Sequence, residues 1–152
     1  MQSLVDELGS LADALVGARV DYAVCGGLSL AIHGYPRATL EIDLLIKSDR
    51  LEDALEVGRG RGFSVRREDH SFKGGSIEIR RISKIDSVDE ILTLDFVPVT
   101  PELADVWDTR EVIEFADRDL WVVSRDGLLK MNRISGRPQD LVDIDTIEND
   151  QD

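Results

Sequence analysis

Three acidic residues lie in apolar segments that have the pattern of β-strands. Glu41 and Asp43 fall within the segment 41–46, and Asp95 falls within the segment 93–99. Because side chains alternate faces along a strand, Glu41 and Asp43 point to the same side, and an adjacent strand would add Asp95. Carboxylates held together repel one another unless a cation neutralises them, and oxygen ligands suit Mg²⁺. The three acids are therefore candidate ligands for two metal ions that assist displacement at phosphorus.

A pair of glycines precedes these acids. Gly26 and Gly27 follow a short apolar run, 22–25, and open a predicted helix at 28–33. Glycine lets the backbone approach a phosphate closely, and free N–H groups at the start of a helix attract anions. A glycine pair after a strand also forms ordinary turns, so the spacing to the two acids is what favours a phosphate site.

The elements that would position these residues alternate along the chain. Apolar spacing and capping residues predict helices at 3–18, 28–33, 51–60 and 124–134, and a last helix from Pro138 into an acidic tail. Apolar runs and alternating patterns predict strands at 22–25, 41–46, 63–67, 76–82, 93–99 and 120–123, with a hairpin between 63–67 and 76–82. This order predicts a single α/β (α+β) domain over residues 1–152, in which helices flank a mixed central sheet.

The balance of charge limits the partners of the protein. The chain has 152 residues and a net charge of −13, which argues against a protein that coats nucleic acid over its whole surface. The segment 57–84 is the exception, with eight basic and three acidic residues. A contact with nucleic acid, if the protein makes one, is expected only in this segment. Its Arg66, Arg67, Arg80 and Arg81 are candidate contacts to an acidic acceptor, with ordinary solvated surface as the alternative.

Composition also predicts the compartment. No uninterrupted apolar stretch approaches the roughly 20 residues that a membrane span needs, and the first residues lack the pattern of a signal peptide. The single cysteine, Cys25, cannot form an internal disulfide and lies in an apolar run. We therefore expect a cytoplasmic protein with no membrane partner, in which Cys25 is buried.

The stretch 24–46 resembles the signature of the polymerase-beta-like nucleotidyltransferase superfamily. That signature has an apolar residue, a Gly-Gly or Gly-Ser pair, about a dozen residues, two acids separated by one apolar residue, and a third acid on a later strand. The His-Gly pair at 33–34 and the Arg-x-Thr element at 37–39 look most like the bacterial branch that contains the abortive-infection toxin nucleotidyltransferases. The closing segment 124–144 is similar to the last helices of that branch.

The resemblance implies a nucleotidyltransferase fold and a role for each matching residue. The implied nucleotide site comprises Gly26 and Gly27 around the triphosphate, Lys130 reaching the phosphates, and Arg37 and Thr39 at the entrance. The implied metal site comprises Glu41, Asp43 and Asp95 around two Mg²⁺ ions, with Asp95 also the candidate base. The implied reaction moves a nucleoside monophosphate from an NTP to a hydroxyl group on a protein, an RNA or a small molecule, and releases pyrophosphate.

Departures from the pattern keep a second hypothesis open. Glu41 stands where that branch usually has aspartate, and Gln139 stands where a lysine is common. The larger C-terminal helical region of full-length toxins does not follow, so we expect a protein partner (a toxin or antitoxin) or a second copy to help bind the acceptor. The alternative to an enzyme of a toxin–antitoxin or abortive-infection system is a catalytically degenerate domain that acts as an antitoxin-like or regulatory binding module.

Overall fold

The helices and strands are taken from a computed structural model that describes residues 2–85 and 89–150. Within those ranges the six α-helices are α1 (Gln2–Gly17), α2 (Gly26–Ile32), α3 (Leu51–Gly60), α4 (Ala104–Asp108), α5 (Arg125–Ser135) and α6 (Pro138–Glu148). The eight strands there are β1 (Ala23–Cys25), β2 (Glu41–Ile46), β3 (Val65–Arg66), β4 (His70–Phe72), β5 (Ile77–Ile85), β6 (Ile91–Pro98), β7 (Glu111–Phe115) and β8 (Arg118–Val122). Short 3₁₀ turns lie at Ser48–Arg50, Lys73–Gly75 and Pro101–Leu103.

A mixed sheet forms the centre of the fold. Its strands lie in the order β3-β5-β6-β2-β1-β8-β7, and β4 pairs with the first residues of β5. The pairs β2–β6 and β1–β8 are parallel. The other pairs are antiparallel. The predicted mixed sheet flanked by helices is therefore confirmed.

The two faces of the central strands pack against different helices. Ile42, Leu44 and Ile46 of β2 are buried in a core cluster with residues of α1 and α3. Because side chains alternate, Glu41 and Asp43 face the opposite side, where α4, α5 and α6 pack on the sheet. The sheet thus holds the two acids on the face that α5 and α6 cover, while their neighbours anchor the strand in the core.

A hairpin at one edge of the sheet was not predicted from the sequence. Strands β7 and β8 are joined by Ala116 and Asp117, whose φ angles are 52° and 62°. Two consecutive positive φ angles are typical of a type I′ hairpin turn, for which Asn-Gly is the usual sequence. Ala-Asp is a weak turn signal, which is why only residues 120–123 were predicted as a strand.

The predicted strand at 63–67 is wrong in its first residues. Phe63 is fully buried, but its backbone N–H donates to the carbonyl of Gly58 at the end of α3 rather than to the sheet. Gly62, with a φ of 96°, turns the chain there, so that only β3 joins the sheet. Strand β4 and helix α4 are also absent from the sequence prediction, because each has at most five residues and no clear periodicity.

Two predictions from composition can be compared with the structure. Cys25 is buried, as expected for a small residue in an apolar run. Among the described residues, none of the helices combines the length and the apolar character that crossing a membrane requires.

Gly58 sets how closely α3 approaches the strand that carries Asp95. A Cβ atom at this position would lie 2.8 Å from Ile82 Cδ1 and 3.1 Å from Leu94 Cδ2. We expect Gly58→Val to lower the free energy of unfolding by about 2 kcal/mol, because buried neighbours must move. A Cβ at Gly60 of the same helix would meet nothing within 4 Å apart from its chain neighbours and the backbone of the helix itself. Gly60→Val should therefore change the free energy of unfolding by less than about 0.5 kcal/mol. Urea denaturation measures both, and equal effects would contradict this packing argument.

Candidate active site

Four adjacent strands place four residues in one row across the sheet. Cys25 of β1 pairs with Asp43 of β2, and Asp43 pairs with Asp95 of β6. Arg81 of β5 pairs with Asp95 from the other side. Directly paired residues of neighbouring strands point to the same face of a sheet. The register, which the core residues fix, therefore brings a thiol, two carboxylates and a guanidinium group together.

The three acids lie close to one another. Ligand oxygens of Glu41, Asp43 and Asp95 are all within 4.8 Å of each other. Asp95 is only 1% exposed, whereas Glu41 and Asp43 are half-buried. Burial, followed by the negative charges of Asp95 and Glu41, raises the pKa of Asp43 well above its ordinary value, and the positive charge of Arg137 acts in the opposite direction. Asp43 therefore binds a proton more tightly than an exposed aspartate does.

Arg81 is the principal cation bound to this cluster. Its Nε donates to Asp95 Oδ1 at 2.7 Å, and its Nη2 donates to Asp95 Oδ2 at 2.8 Å. Nη2 also lies 3.5 Å from Glu41 Oε1. The hydrogen bonds with Asp95 are the main cause of the raised pKa of Arg81. A bidentate pair of this kind is strong and directional, so Arg81 fixes the orientation of the Asp95 carboxylate.

The position of Arg81 corrects one expectation. The sequence groups Arg81 with Arg80 and Arg66 as surface contacts for an acidic acceptor, but successive residues of β5 face opposite sides of the sheet. Arg80 and Arg66 both lie near Asp69, at 3.6 Å and 3.0 Å. Arg81 is therefore a residue of the acidic cluster and does not belong to that surface.

The two predicted glycines allow a close approach of α2 to the site. Gly26 has a φ of 65°, and a Cβ atom there would collide with the carboxylate of Asp43. A Cβ atom at Gly27 would lie 3.2 Å from Thr39 Cβ and 3.3 Å from Arg37 Nη2. Gly26 is therefore required for the first turn of α2 to lie against the acids, and Gly27 lets the same turn pack tightly against the 37–39 segment.

Arg37 is held in place by residues of α6. Its Nε and Nη2 each donate to the buried carboxylate of Asp143 at 3.0 Å. Gln139 Nε2 also donates to Asp143 Oδ1 at 3.0 Å. The glutamine that departs from the family pattern thus supports the acid that orients Arg37. Nearby, Thr39 Oγ1 accepts a hydrogen bond from the backbone N–H of Glu41 at 3.3 Å.

These groups line one cavity of about 750 Å³. The predicted site residues in its lining are Gly26, Gly27, Arg37, Thr39, Glu41, Asp43 and Asp95. Residues that were not predicted include Ile77, Ile79 and Val97 of the sheet, Met131, Asn132 and Ser135 of α5, and Arg137. The cavity therefore combines a charged region at the acids with an apolar region between the sheet and α5.

Lys130 does not line this cavity. Its Nζ donates to Asp105 Oδ1 at 2.7 Å, and both residues border a separate cavity of about 340 Å³ beside α4. On α5, position 130 faces α4, whereas positions 131, 132 and 135 face the main cavity. The structure does not bring Lys130 to the position that the resemblance implies, and Arg37 and Arg137 are the cationic residues in the cavity lining.

Two further cavity residues were not predicted as site residues. Arg137, just before α6, donates through Nε to Asp140 Oδ2 at 2.8 Å, and its positive charge acts to lower the pKa of Asp43. Asn132 is 6% exposed, and its Nδ2 has no hydrogen-bond partner among the described residues. Arg137 lies within the closing segment of the resemblance, whereas an asparagine in the middle of a helix carries no such signal.

The donor set fits a divalent cation of the Mg²⁺ type. Carboxylate oxygens are the ligands that this ion prefers, and three residues offer them within 4.8 Å. Burial and the two neighbouring acids raise the pKa of Asp43, and a cation at this position would favour its ionised form. Asp95 is the exception, because both of its oxygens already accept hydrogen bonds from Arg81.

Comparison with known proteins identifies the fold. No protein-family model matches the chain, and no curated protein matches it in sequence. A Thermotoga maritima protein assigned as a nucleotidyltransferase superposes with a TM-score of 0.68 at 16% identity, covering 99% of this chain and 96% of that one. The lincosamide antibiotic adenylyltransferase LnuA gives 0.60 at 16% identity, with 95% and 96% covered. The antibiotic-resistance factor ANT(2'')-Ia gives 0.66 at 12% identity, with 96% and 83% covered.

These likenesses show that the chain has the nucleotidyltransferase fold, as the resemblance of the 24–46 stretch implies. At identities of 12–16% they show the fold alone. Membership of the abortive-infection branch stays a prediction.

Loss of Arg81 is expected to destabilise the metal-free protein. Arg81→Gln leaves the buried Asp95 beside Asp43 and Glu41 without its cation, which we expect to lower the free energy of unfolding by about 3 kcal/mol. The control is Arg80→Gln on the opposite face of the same strand, whose ion pairs at 3.6 Å and 3.8 Å are partly exposed. That variant should lose less than about 1 kcal/mol. Urea denaturation in a metal chelator measures both values, and similar losses would contradict the assigned role of Arg81.

Asp43 is expected to make the metal-free protein less stable as the pH rises. A carboxyl group with a raised pKa binds its proton more tightly in the folded chain than in the unfolded chain. The stabilisation that the protonated Asp43 contributes is therefore full below the unfolded pKa of about 4. It is lost as the pH rises from there through the raised pKa of the folded protein. Asp43→Asn removes this titration and should be more stable than the wild type at pH 7 in chelator.

The measurement is the free energy of unfolding of both proteins at a series of pH values. The difference between variant and wild type isolates Asp43 from the other titrating groups. A difference that does not change with pH would contradict the argument.

Proposed function

We propose that the protein is a Mg²⁺-dependent nucleotidyltransferase that moves a nucleoside monophosphate from an NTP to a hydroxyl group. The observation that carries this proposal is the register that places Asp43 beside Asp95, with Glu41 on the same face. Converging carboxylates beside a glycine turn, in the lining of one cavity, suit displacement at phosphorus. The nucleotidyltransferase fold agrees with this chemistry but does not establish it.

In this proposal the triphosphate lies beside Gly26 and Gly27. The lack of side chains at these positions lets the backbone at the start of α2 approach a phosphate. The guanidinium groups of Arg37 and Arg137 line the same cavity and offset phosphate charge. Asp143 orients the first of them through two hydrogen bonds of 3.0 Å.

Glu41 and Asp43 are the residues proposed to hold Mg²⁺. Both are half-buried in the cavity lining, and their ligand oxygens lie within 4.8 Å of each other and of Asp95. When bound, the ion neutralises phosphate charge and stabilises the charge that develops on the leaving group. The sequence pattern predicts two ions. The bidentate pair between Arg81 and Asp95 favours a single ion, because Arg81 already neutralises the third acid.

In the proposed reaction the oxygen of the acceptor hydroxyl forms a bond to the α-phosphorus of the NTP. The bond from that phosphorus to the oxygen that bridges to the β-phosphate breaks, and pyrophosphate leaves. The hydroxyl proton passes to the carboxylate of Asp95, whose orientation Arg81 fixes through both oxygens. Arg37 and Arg137 offset charge on the phosphates throughout.

A small molecule is better supported as the acceptor than a long nucleic acid. The net charge is −13, and ion pairs with acidic neighbours engage Arg59, Arg66, Arg80 and Lys84 of the basic segment. LnuA was solved with lincomycin, and ANT(2'')-Ia with adenylyl-2''-tobramycin, both of which are small molecules. We therefore favour a small-molecule hydroxyl for this chain. A protein acceptor, a toxin or antitoxin partner and an abortive-infection role stay predictions.

One observation favours the alternative function, a catalytically degenerate binding module. Arg81 occupies both oxygens of Asp95, the residue proposed to accept a proton. If that pair holds Asp95 permanently, the cavity binds a ligand without turning it over. Nucleotide binding without transfer to any acceptor distinguishes this module from an enzyme.

Titration calorimetry with each of the four NTPs and Mg²⁺ tests the proposal. We expect at least one NTP to bind only when Mg²⁺ is present, because Glu41 and Asp43 repel the triphosphate without it. Asp43→Ala should abolish this metal-dependent binding.

The control is Asp105→Ala, which removes an acid outside the main cavity. This variant should bind as the wild type does. If no NTP binds to the wild type, the enzyme is the wrong interpretation, and a module that binds a partner other than a nucleotide becomes the better one.

A further inference from the structure

Asn132 lines the cavity, and the Nδ2 atom of its side-chain amide is buried without a hydrogen-bond partner among the described residues. The residue is 6% exposed, and its Nδ2 makes no hydrogen bond to any described residue. A buried donor that loses its bonds to water and gains none in the folded chain costs free energy. Leucine or methionine at this position of α5 would avoid that cost, so the chain carries a polar group that its own packing does not use.

The groups around Asn132 define what a ligand must offer at this end of the cavity. Met131 precedes it on α5, and Ile77, Ile79 and Val97 of the sheet line the same cavity. Ile79 and Val97 lie two residues along their strands from Arg81 and Asp95, on the same face. The apolar region therefore begins beside the acids and extends away from them. Such a region, with the polar residues Asn132 and Ser135 of α5 in the same lining, accommodates a flat apolar ring that has a hydrogen-bonding edge.

We propose that this end of the cavity binds the nucleobase of the NTP and that the Asn132 amide hydrogen-bonds the edge of the base. The proposal rests on the proposed function, since it assigns the part of the nucleotide that lies beyond the triphosphate. A triphosphate is highly charged and is better matched by Arg37 and Arg137 than by a neutral amide. A base has apolar faces for Ile79 and Met131, and its edge carries the acceptor that Nδ2 needs.

The amide also has the chemistry to select a base. An asparagine offers a donor beside an acceptor, which matches an adenine edge that presents an acceptor beside a donor. We therefore expect ATP to bind more tightly than GTP, whose corresponding edge presents two acceptors.

The test compares Asn132→Leu and the smaller Asn132→Ala with the wild type. Mg²⁺–ATP affinity is measured by calorimetry, and Mg²⁺–tripolyphosphate serves as a probe of the phosphate region alone. Both variants should bind ATP about tenfold more weakly, the effect of one hydrogen bond to a base edge, and should bind tripolyphosphate within about twofold of the wild type. Asn149→Leu, which changes an exposed asparagine outside the cavity, should bind both ligands as the wild type does.

The melting temperature without ligand supplies a second readout. Removing an unsatisfied donor should raise it by about 3 °C in Asn132→Leu. A fall in both variants would show that the amide has a structural partner, and would overturn the proposal. The melting temperature therefore falls if Asn132 stabilises the fold and rises if its amide is unsatisfied until a ligand binds.

The remaining outcomes separate this inference from the proposed function. Wild-type ATP binding that neither variant weakens overturns the role of Asn132 and leaves the nucleotidyltransferase proposal standing. Equal weakening of ATP and tripolyphosphate also overturns it, because the amide then acts on the phosphates. If the wild type binds tripolyphosphate but no NTP, or binds neither, the proposed function fails and the base site fails with it.

Discussion

Mutual repulsion among three carboxylates is the constraint around which this molecule is built. Glu41, Asp43 and Asp95 hold oxygens within 4.8 Å of one another on two paired strands. They cannot separate, because the alternate residues of the same strands are buried in the core. The repulsion must therefore be met by a cation or a proton. Arg81 offsets part of it, and the raised pKa of Asp43, caused first by burial and then by the other two acids, favours a proton on Asp43 when no cation is bound.

The same constraint accounts for the residues that surround the acids. Gly26 has no side chain because Asp43 occupies the space that a Cβ atom would need. Arg37, which lies against Gly27, depends on the buried Asp143 of α6 for its orientation. Helix α6 therefore contributes to the site through an arginine on a distant loop, and Gln139 supports that contact. The catalytic surface proposed here is thus assembled from the sheet, one glycine turn and the last two helices.

Local periodicity allowed the acids to be predicted, and tertiary pairing decided the rest. Alternation along β2 is a property of the segment itself, so the common face of Glu41 and Asp43 follows from the sequence. Arg81 was assigned to a basic surface because its partner depends on which strand lies beside β6, and in what register. Lys130 illustrates the same limit. Its neighbour Met131 lines the main cavity, whereas Lys130, one residue earlier on α5, points to Asp105. The hairpin of β7 and β8 was missed because its turn is Ala116-Asp117, which has no usual turn residue at its second position.

Glutamate rather than aspartate at position 41 has a physical consequence, because Arg81 lies beside it. Arg81 Nη2 lies 2.8 Å from Asp95 and 3.5 Å from Glu41, so one guanidinium group faces two of the three acids. Among the described residues Arg81 makes its contacts with Asp95 and Glu41 rather than with Asp43, so in the proposed site a divalent ion would be most favourable next to Asp43. The additional methylene of Glu41 would let its half-exposed carboxylate, which lies 3.5 Å from Arg81 Nη2, also hold an ion beside Asp43. In the proposed reaction, then, Arg81 provides a fixed positive charge beside Asp95 where a second metal ion would otherwise be needed, and Glu41 and Asp43 would hold the one ion that neutralises phosphate charge.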